Sequence, residues 1–212
     1  MIEELLQIQS ELQKRLSYPY KWMQKQNDYF DNKTNFIYHT KTFEELLKEI
    51  HKRFKSEKIF QLYFNYALNR WYNFWSAFAI ERIFCSLPDV KPAFNHKDRL
   101  KDFSIKGITF DHKTTVFPKK FNEAIDSVKQ NPLTLIKWLY ENQSSQQRKH
   151  FHNRLFIVLY SSNGEHWKLK AEILWLKEII ENYLSEFEPN KLFSLKLSKE
   201  FSTLADVIWA IK

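Results

Sequence analysis

The sequence predicts an α/β domain with a helical extension at its N-terminus. Three observations carry this. Apolar residues recur at helical spacing through most of the stretch before Pro88. After Pro88 the pattern changes to short apolar runs, alternating or continuous, bounded by turn residues. From there helical and strand-like stretches alternate to the end, the order expected of an α/β fold.

The elements follow in order. Ile2, Leu5, Leu6, Ile8 and Leu12 repeat with the helical period. Pro19 and the polar run from Gln24 to Lys33 read as a loop. Thr42 and Glu45 have the spacing of a capping box, which starts a helix through Leu46, Leu47, Ile50 and Phe54. Ser56 is suited to cap the next helix, which runs, with a break, to about Leu87. Its second half is apolar nearly all round (Trp71, Phe74, Trp75, Phe78, Ile80, Ile83, Phe84), as a helix buried on most sides is. Residues 89–117 hold short strand-like pieces and turn signals. Asn131 and Pro132 are a good N-cap and first-turn pair for a helix through Leu135, Ile136 and Leu139. Arg154 to Tyr160 is a short, mostly apolar run of the kind that forms a strand covered on both faces. A long amphipathic helix over 165–187 and strands over 192–197 and 205–211 complete the chain. The division expected is residues 1–70 as the helical extension and 71–212 as the α/β core, which suits a chain of 212 residues.

Composition narrows the function classes. With 43% hydrophobic residues the chain can bury a core and is not a disordered tail. A formal charge of +8 suits a polyanionic partner. With 2 glycines in all, neither a phosphate-binding Walker loop nor a GxGxxG dinucleotide motif can be written. The single cysteine, Cys85, rules out an internal disulfide and a thiolate zinc cluster, and a reducing cytoplasm is the expected compartment. The N-terminus is amphipathic with early acids, unlike a secretory signal, and the most apolar stretch, 71–87, is too short and too polar to span a bilayer.

The chemistry is concentrated in residues 101–117. Lys106-Gly107 lies between two alternating runs and reads as a two-residue hairpin turn. In that register Ile105 faces Ile108, Ser104 faces Thr109, Phe103 faces Phe110 and Asp102 faces Asp111. One face carries Phe103, Ile105, Ile108 and Phe110. The other carries Asp102, Ser104, Thr109, Asp111, Lys113 and Thr115. Two aspartates directly opposite each other repel, and a divalent cation between them is the simplest reason to keep them. Lys113 projects from the same face, where it can position a water or offset charge on a phosphate. Glu81, a carboxylate inside an apolar helix, needs a partner: it is either a further ligand or bracing acid, or a structural acid paired with Arg70, Arg82 or a lysine. The set suggests metal-assisted phosphodiester hydrolysis.

The arrangement resembles the PD-(D/E)xK nuclease superfamily, the restriction-endonuclease-like fold. The matching positions are Asp102, then Asp111-His112-Lys113, with Glu81 for the acid on the preceding helix. The resemblance covers about residues 71–160 and implies an αβββαβ core, with a central mixed sheet flanked by helices. It also implies a magnesium site, where manganese can substitute, formed by Asp102, Asp111, Glu81 and the backbone carbonyl of His112. Lysine, not proline, precedes Asp102. The Pro88-Asp89 pair is the other candidate for the first acid, but it follows a helix end and reads as a turn. The string [DE]xK also occurs at Asp31 and Asp89, about as often as chance allows, but only Asp111 lies in a strand pattern with an opposed acid.

The function expected is a magnesium-dependent endonuclease acting on double-stranded DNA; the size suits a type II restriction enzyme, as a monomer or homodimer. An RNA-directed or structure-specific nuclease fits nearly as well. A non-catalytic nucleic-acid-binding or protein-interaction module with the same fold is the rival from another class. Ser104, Thr115, Arg148, Lys149, Arg154, Lys52 and Arg53 are the candidate contacts to nucleic acid, each also readable as an ordinary solvent-facing residue. His150 and His152 form an HxH pair with no companion pattern. The side chain of His112 is expected on the core side of the hairpin.

Overall fold

The computed structural model describes residues 1–93, 101–142, 152–196 and 201–212. They form two compact units: Met1–Ala79 with Lys170–Leu174, and Ile80–Leu169 with Trp175–Lys212. The division falls inside a long helix, after Ala79.

The first unit is helical. It holds α1 (Ile2–Lys14), α2 (Asp28–Lys33), α3 (Phe43–Phe54) and most of α4 (Phe60–Cys85). α1 buries Leu5, Ile8 and Leu12, and α3 buries Phe43, Leu46, Ile50 and Phe54, spacings that place each set on one helix face. The capping box of α3 is present: the Glu45 N–H donates to Thr42 Oγ1 at 3.3 Å and the Thr42 N–H to Glu45 Oε2 at 3.3 Å. Buried Glu11 also takes the Phe43 N–H at 2.7 Å, so two free donors of this helix end are satisfied from outside the helix ladder. The polar run after Gln24 is not all loop. Asn27 caps α2 by accepting from the Phe30 N–H, and Phe30 packs against the rings of Tyr63 and Tyr66 at 5.2 and 5.3 Å. That aromatic packing is tertiary and has no local signature. α4 begins at Phe60, not at Ser56, with the Phe60 N–H on the Glu57 carbonyl.

The second unit is built on a six-stranded mixed sheet flanked by helices. Its strands are β1 (Val90–Pro92), β2 (Phe103–Ile105), β3 (Ile108–Val116), β4 (Arg154–Tyr160), β5 (Phe193–Lys196) and β6 (Ser202–Ile211), in the spatial order β1-β2-β3-β4-β6-β5. β1, β2 and β3 form an antiparallel meander, β3, β4 and β6 run parallel, and β5 is antiparallel to β6. The β3-to-β4 crossover carries α5 (Ile125–Gln130) and α6 (Pro132–Asn142), the latter opened by Pro132 as its Asn-Pro signal predicts. α7 (Ile173–Ser185) replaces the longer helix expected over 165–187, its first part being a 3-10 turn, His166–Ala171.

The burial of β4 shows why it is apolar. Leu155, Phe156, Ile157, Val158 and Leu159 are all buried, because both faces of the strand are covered. Phe156 and Val158 join Leu135, Ile136 and Leu139 of α6, while the register neighbour of Leu155, Asp206, meets Tyr183 of α7. Asp89 sits at φ 64°, the left-handed turn conformation that aspartate tolerates, at the entry to β1. No helix among the described residues is long and apolar enough to cross a membrane.

Candidate active site on the β2–β3 hairpin

The hairpin forms as its sequence predicts. Lys106 and Gly107 both have positive φ, 46° and 84°, the pair a type I′ turn requires. Phe103 pairs with Phe110, Ser104 with Thr109 and Ile105 with Ile108. The next expected pair, Asp102 with Asp111, does not form squarely. The Asp102 N–H donates to the Phe110 carbonyl at 2.9 Å, and the Asp111 N–H donates to the Asn153 carbonyl at 3.0 Å. The ladder thus closes one residue short, and the two carboxylates take different partners.

Asp102 serves the strand that β2 no longer covers. Its Oδ2 accepts the backbone N–H of His112 at 2.7 Å and the Nδ1–H of the same residue at 2.7 Å. The first bond replaces the main-chain pairing that a longer β2 would have supplied. In a strand the N–H and C=O of one residue point to the same side, so the His112 carbonyl also faces the β2 side of β3. The His112 ring lies on the apolar side, as expected, stacked on Phe103 at 5.9 Å with Phe84 at 6.2 Å. Burial pushes the Asp102 carboxyl up, but the ring hydrogen bond, the charge and the N–H of His112, with the charge of Lys113, outweigh it and hold the group below the ordinary aspartate value.

Asp111, Lys113 and Arg154 share the opposite face. Asp111 and Lys113 are two residues apart on β3, and Asp111 stands beside Arg154 in the parallel register with β4. Lys113 Nζ donates to Asp111 Oδ1 at 2.5 Å, and Arg154 Nε to Oδ2 at 3.1 Å. The Asp111 and Arg154 side chains are 8% and 6% exposed, whereas Lys113 is 42% exposed. The guanidinium also lies over the Tyr140 ring at 5.2 Å, and the Tyr140 hydroxyl is anchored on the His152 carbonyl at 2.7 Å. Lys113 is therefore the accessible cation of the pair, and Arg154 the built-in counter-ion.

The remaining expected residues fall as follows. Glu81 is half-buried near the end of α4. Burial pushes the Cys85 thiol up to about 11, and the charges of Glu81 and Asp102 add to this, so both acids act on one neighbourhood. Ser104 and Thr115 are half-buried on β2 and β3. Arg154, expected as a contact to nucleic acid, is buried under Asp111 and Tyr140 and presents no surface cation. Lys52 and Arg53 lie on α3, both within ion-pair reach of Glu49, at 3.9 and 2.8 Å. Arg148, Lys149 and His150 lie outside the described residues.

Two members of the site were not foreseen. Arg154 as partner of Asp111 had one available signal, a lone charge opening an apolar strand. The His112 ring on Asp102 had none, because nothing local marks where β2 stops.

The donor chemistry suits magnesium. The ion takes hard oxygen ligands, uses one or two carboxylates and keeps several waters. Asp102, Asp111 and the His112 carbonyl supply such oxygens without a third acid. Among the described residues there is no group of three or more His, Cys, Asp or Glu side chains placed to hold a metal, so a cage made wholly of side chains is not what these residues form. Comparison with protein-family models, with curated proteins and with solved structures finds no match.

Proposed function

We propose that this chain is a metal-dependent nuclease that hydrolyses phosphodiester bonds in DNA, with a restriction-endonuclease-like core. The observation that carries the reading is the hairpin end, where Asp102 takes the His112 N–H of β3 and the next residue back on that strand, Asp111, pairs with Lys113; Asp111 is buried, Asp102 half-buried and the lysine accessible. The element order α4, β1, β2, β3, then α5 with α6, then β4 supports it, being the expected αβββαβ order. The net charge of +8 favours a phosphate polyanion as substrate.

Asp102, Asp111 and the His112 carbonyl would hold magnesium, with Glu81 bracing the site; the ion, when bound, supplies Lewis-acid polarisation of the phosphate and of a water. The protein's own residues set the rest. Arg154 orients Asp111 through the bond to Oδ2. Lys113, anchored at Oδ1, presents its remaining ammonium hydrogens to a water or a phosphate oxygen. Asp102 is turned by His112.

The test is cleavage of plasmid, linear and single-stranded DNA, and of RNA, in magnesium, manganese or EDTA. Wild type is expected to cut DNA only with metal, and Asp111→Ala and Lys113→Ala each to lower the rate by about 10²-fold or more. Equal behaviour of all three proteins on every substrate would end the nuclease reading. Salt-sensitive binding without cleavage would favour a non-catalytic nucleic-acid-binding module. That second reading has one observation behind it, the neutralisation of Asp111 by the protein's own cations.

A further inference from the structure

We infer that the His112 imidazole is a positioning residue for the metal site, acting through Asp102; this rests on the nuclease reading above. A core position asks a side chain to fill space without burying an unmet polar atom. His112 is 6% exposed, stacked on Phe103 and close to Phe84. A phenylalanine or leucine would fill such a place without burying a polar atom. Histidine does bury one: Nε2 has no hydrogen-bond partner among the described residues. An unmet buried acceptor or donor carries a desolvation penalty. What the imidazole gives in return is its other nitrogen. Nδ1 lies 2.7 Å from Asp102 Oδ2, and it carries the proton there, because a carboxylate oxygen accepts.

The geometry of that bond is specific. Both donors of residue 112, N–H and Nδ1–H, converge on one oxygen, Oδ2. A single hydrogen bond would let the carboxylate rotate about it. Two from a backbone and a ring that is itself stacked fix the plane, and so make Oδ1 the oxygen that Asp102 presents to a cation. Partners of this kind orient a metal-binding carboxylate without touching the metal, and losing one typically costs 10- to 100-fold in affinity.

The experiment reads manganese binding directly, by the electron paramagnetic resonance of free Mn²⁺, and thermal unfolding beside it. His112→Phe keeps the ring stack and deletes the Nδ1–H. His112→Asn places an amide N–H where Nδ1 lies, and His112→Gln places one where Nε2 lies. Wild type is expected to bind Mn²⁺ and Asp111→Asn to bind it weakly. His112→Phe and His112→Gln should lose about tenfold or more, and His112→Asn should recover most of the loss. Should His112→Phe fail to fold, the contrast between Asn and Gln decides the matter. Equal Mn²⁺ affinity in Asn and Gln variants, or wild-type affinity in a folded Phe variant, overturns the inference while leaving the metal site standing. A wild type that binds no Mn²⁺ overturns both.

Discussion

Replacing Arg154 by methionine tests whether Asp111 depends on a built-in counter-ion. The substitution keeps a long apolar side chain at the start of β4 and deletes the guanidinium. Three terms follow from the structure. The charge-assisted bond from Nε to Asp111 Oδ2, at 3.1 Å, is of a kind that contributes about 1.5–3 kcal/mol. The stacking of the guanidinium over Tyr140, at 5.2 Å and largely out of water, adds about 1–2 kcal/mol. Asp111, 8% exposed, then keeps Lys113 as its one charge partner among the described residues, at 2.5 Å. Breaking a buried ion pair costs about 3–5 kcal/mol, and the surviving lysine holds the expected loss to the low end, about 3 kcal/mol. In a chain of this length that lowers Tm by about 6–12 °C. Urea unfolding should be followed both by far-UV circular dichroism and by the fluorescence of the seven tryptophans. With two compact units, a free energy is read only where the two transitions coincide. Asp111→Leu combined with Arg154→Met removes both charges and should cost less than the two single changes together, by about 1.5–3 kcal/mol. A loss below about 1 kcal/mol for Arg154→Met, or strict additivity in the double variant, would refute the reasoning.

Three further outcomes are expected. Gly107→Ala meets no atom within 4 Å but must hold φ at +84°, so its cost is backbone strain alone, about 1–2 kcal/mol in chemical denaturation; an unchanged midpoint would mean that the turn adapts. Asp206 gives a pH signature. Its burial pushes the carboxyl above the ordinary value, against the Val207 N–H and the Tyr183 hydroxyl that lower it. A raised acid contributes stability that is fully present below the unfolded value of about 3.9 and is lost as pH rises through the folded value. Asp206→Asn should therefore gain on wild type as pH rises towards neutrality, and parallel stability–pH curves would contradict this. Asp102, with its carboxyl held low, contributes in the opposite sense: its stability is present above about 3.9 and lost as pH falls through the folded value, a loss that Asp102→Asn should not show.

The legible parts of the molecule are those set within a few residues of chain. The Thr42–Glu45 box, Pro132 at the head of α6 and the turn at Lys106-Gly107 each act through hydrogen bonds or φ angles of neighbours, so residue type at fixed spacing is enough. The apolar run of β4 likewise announced a strand covered on both sides. The α2 helix was not legible, because Phe30 finds Tyr63 and Tyr66 more than 30 residues away. The charge partner of Asp111 was hidden in the same way: Arg154 reaches it across 43 residues, through a parallel register that the crossover helices set.

The sequence by itself determined that a strand–turn–strand unit carries Asp102, Asp111 and Lys113, since alternation and turn chemistry are local properties of the chain. Only the tertiary structure decided how those charges are held. Where β2 stops and where β4 docks depend on pairing between distant segments, and those two facts hand Asp102 to the backbone and ring of His112 and Asp111 to Arg154. A carboxylate's partners set its orientation, and for each aspartate a deciding partner, His112 for Asp102 and Arg154 for Asp111, is supplied by the pairing of strands.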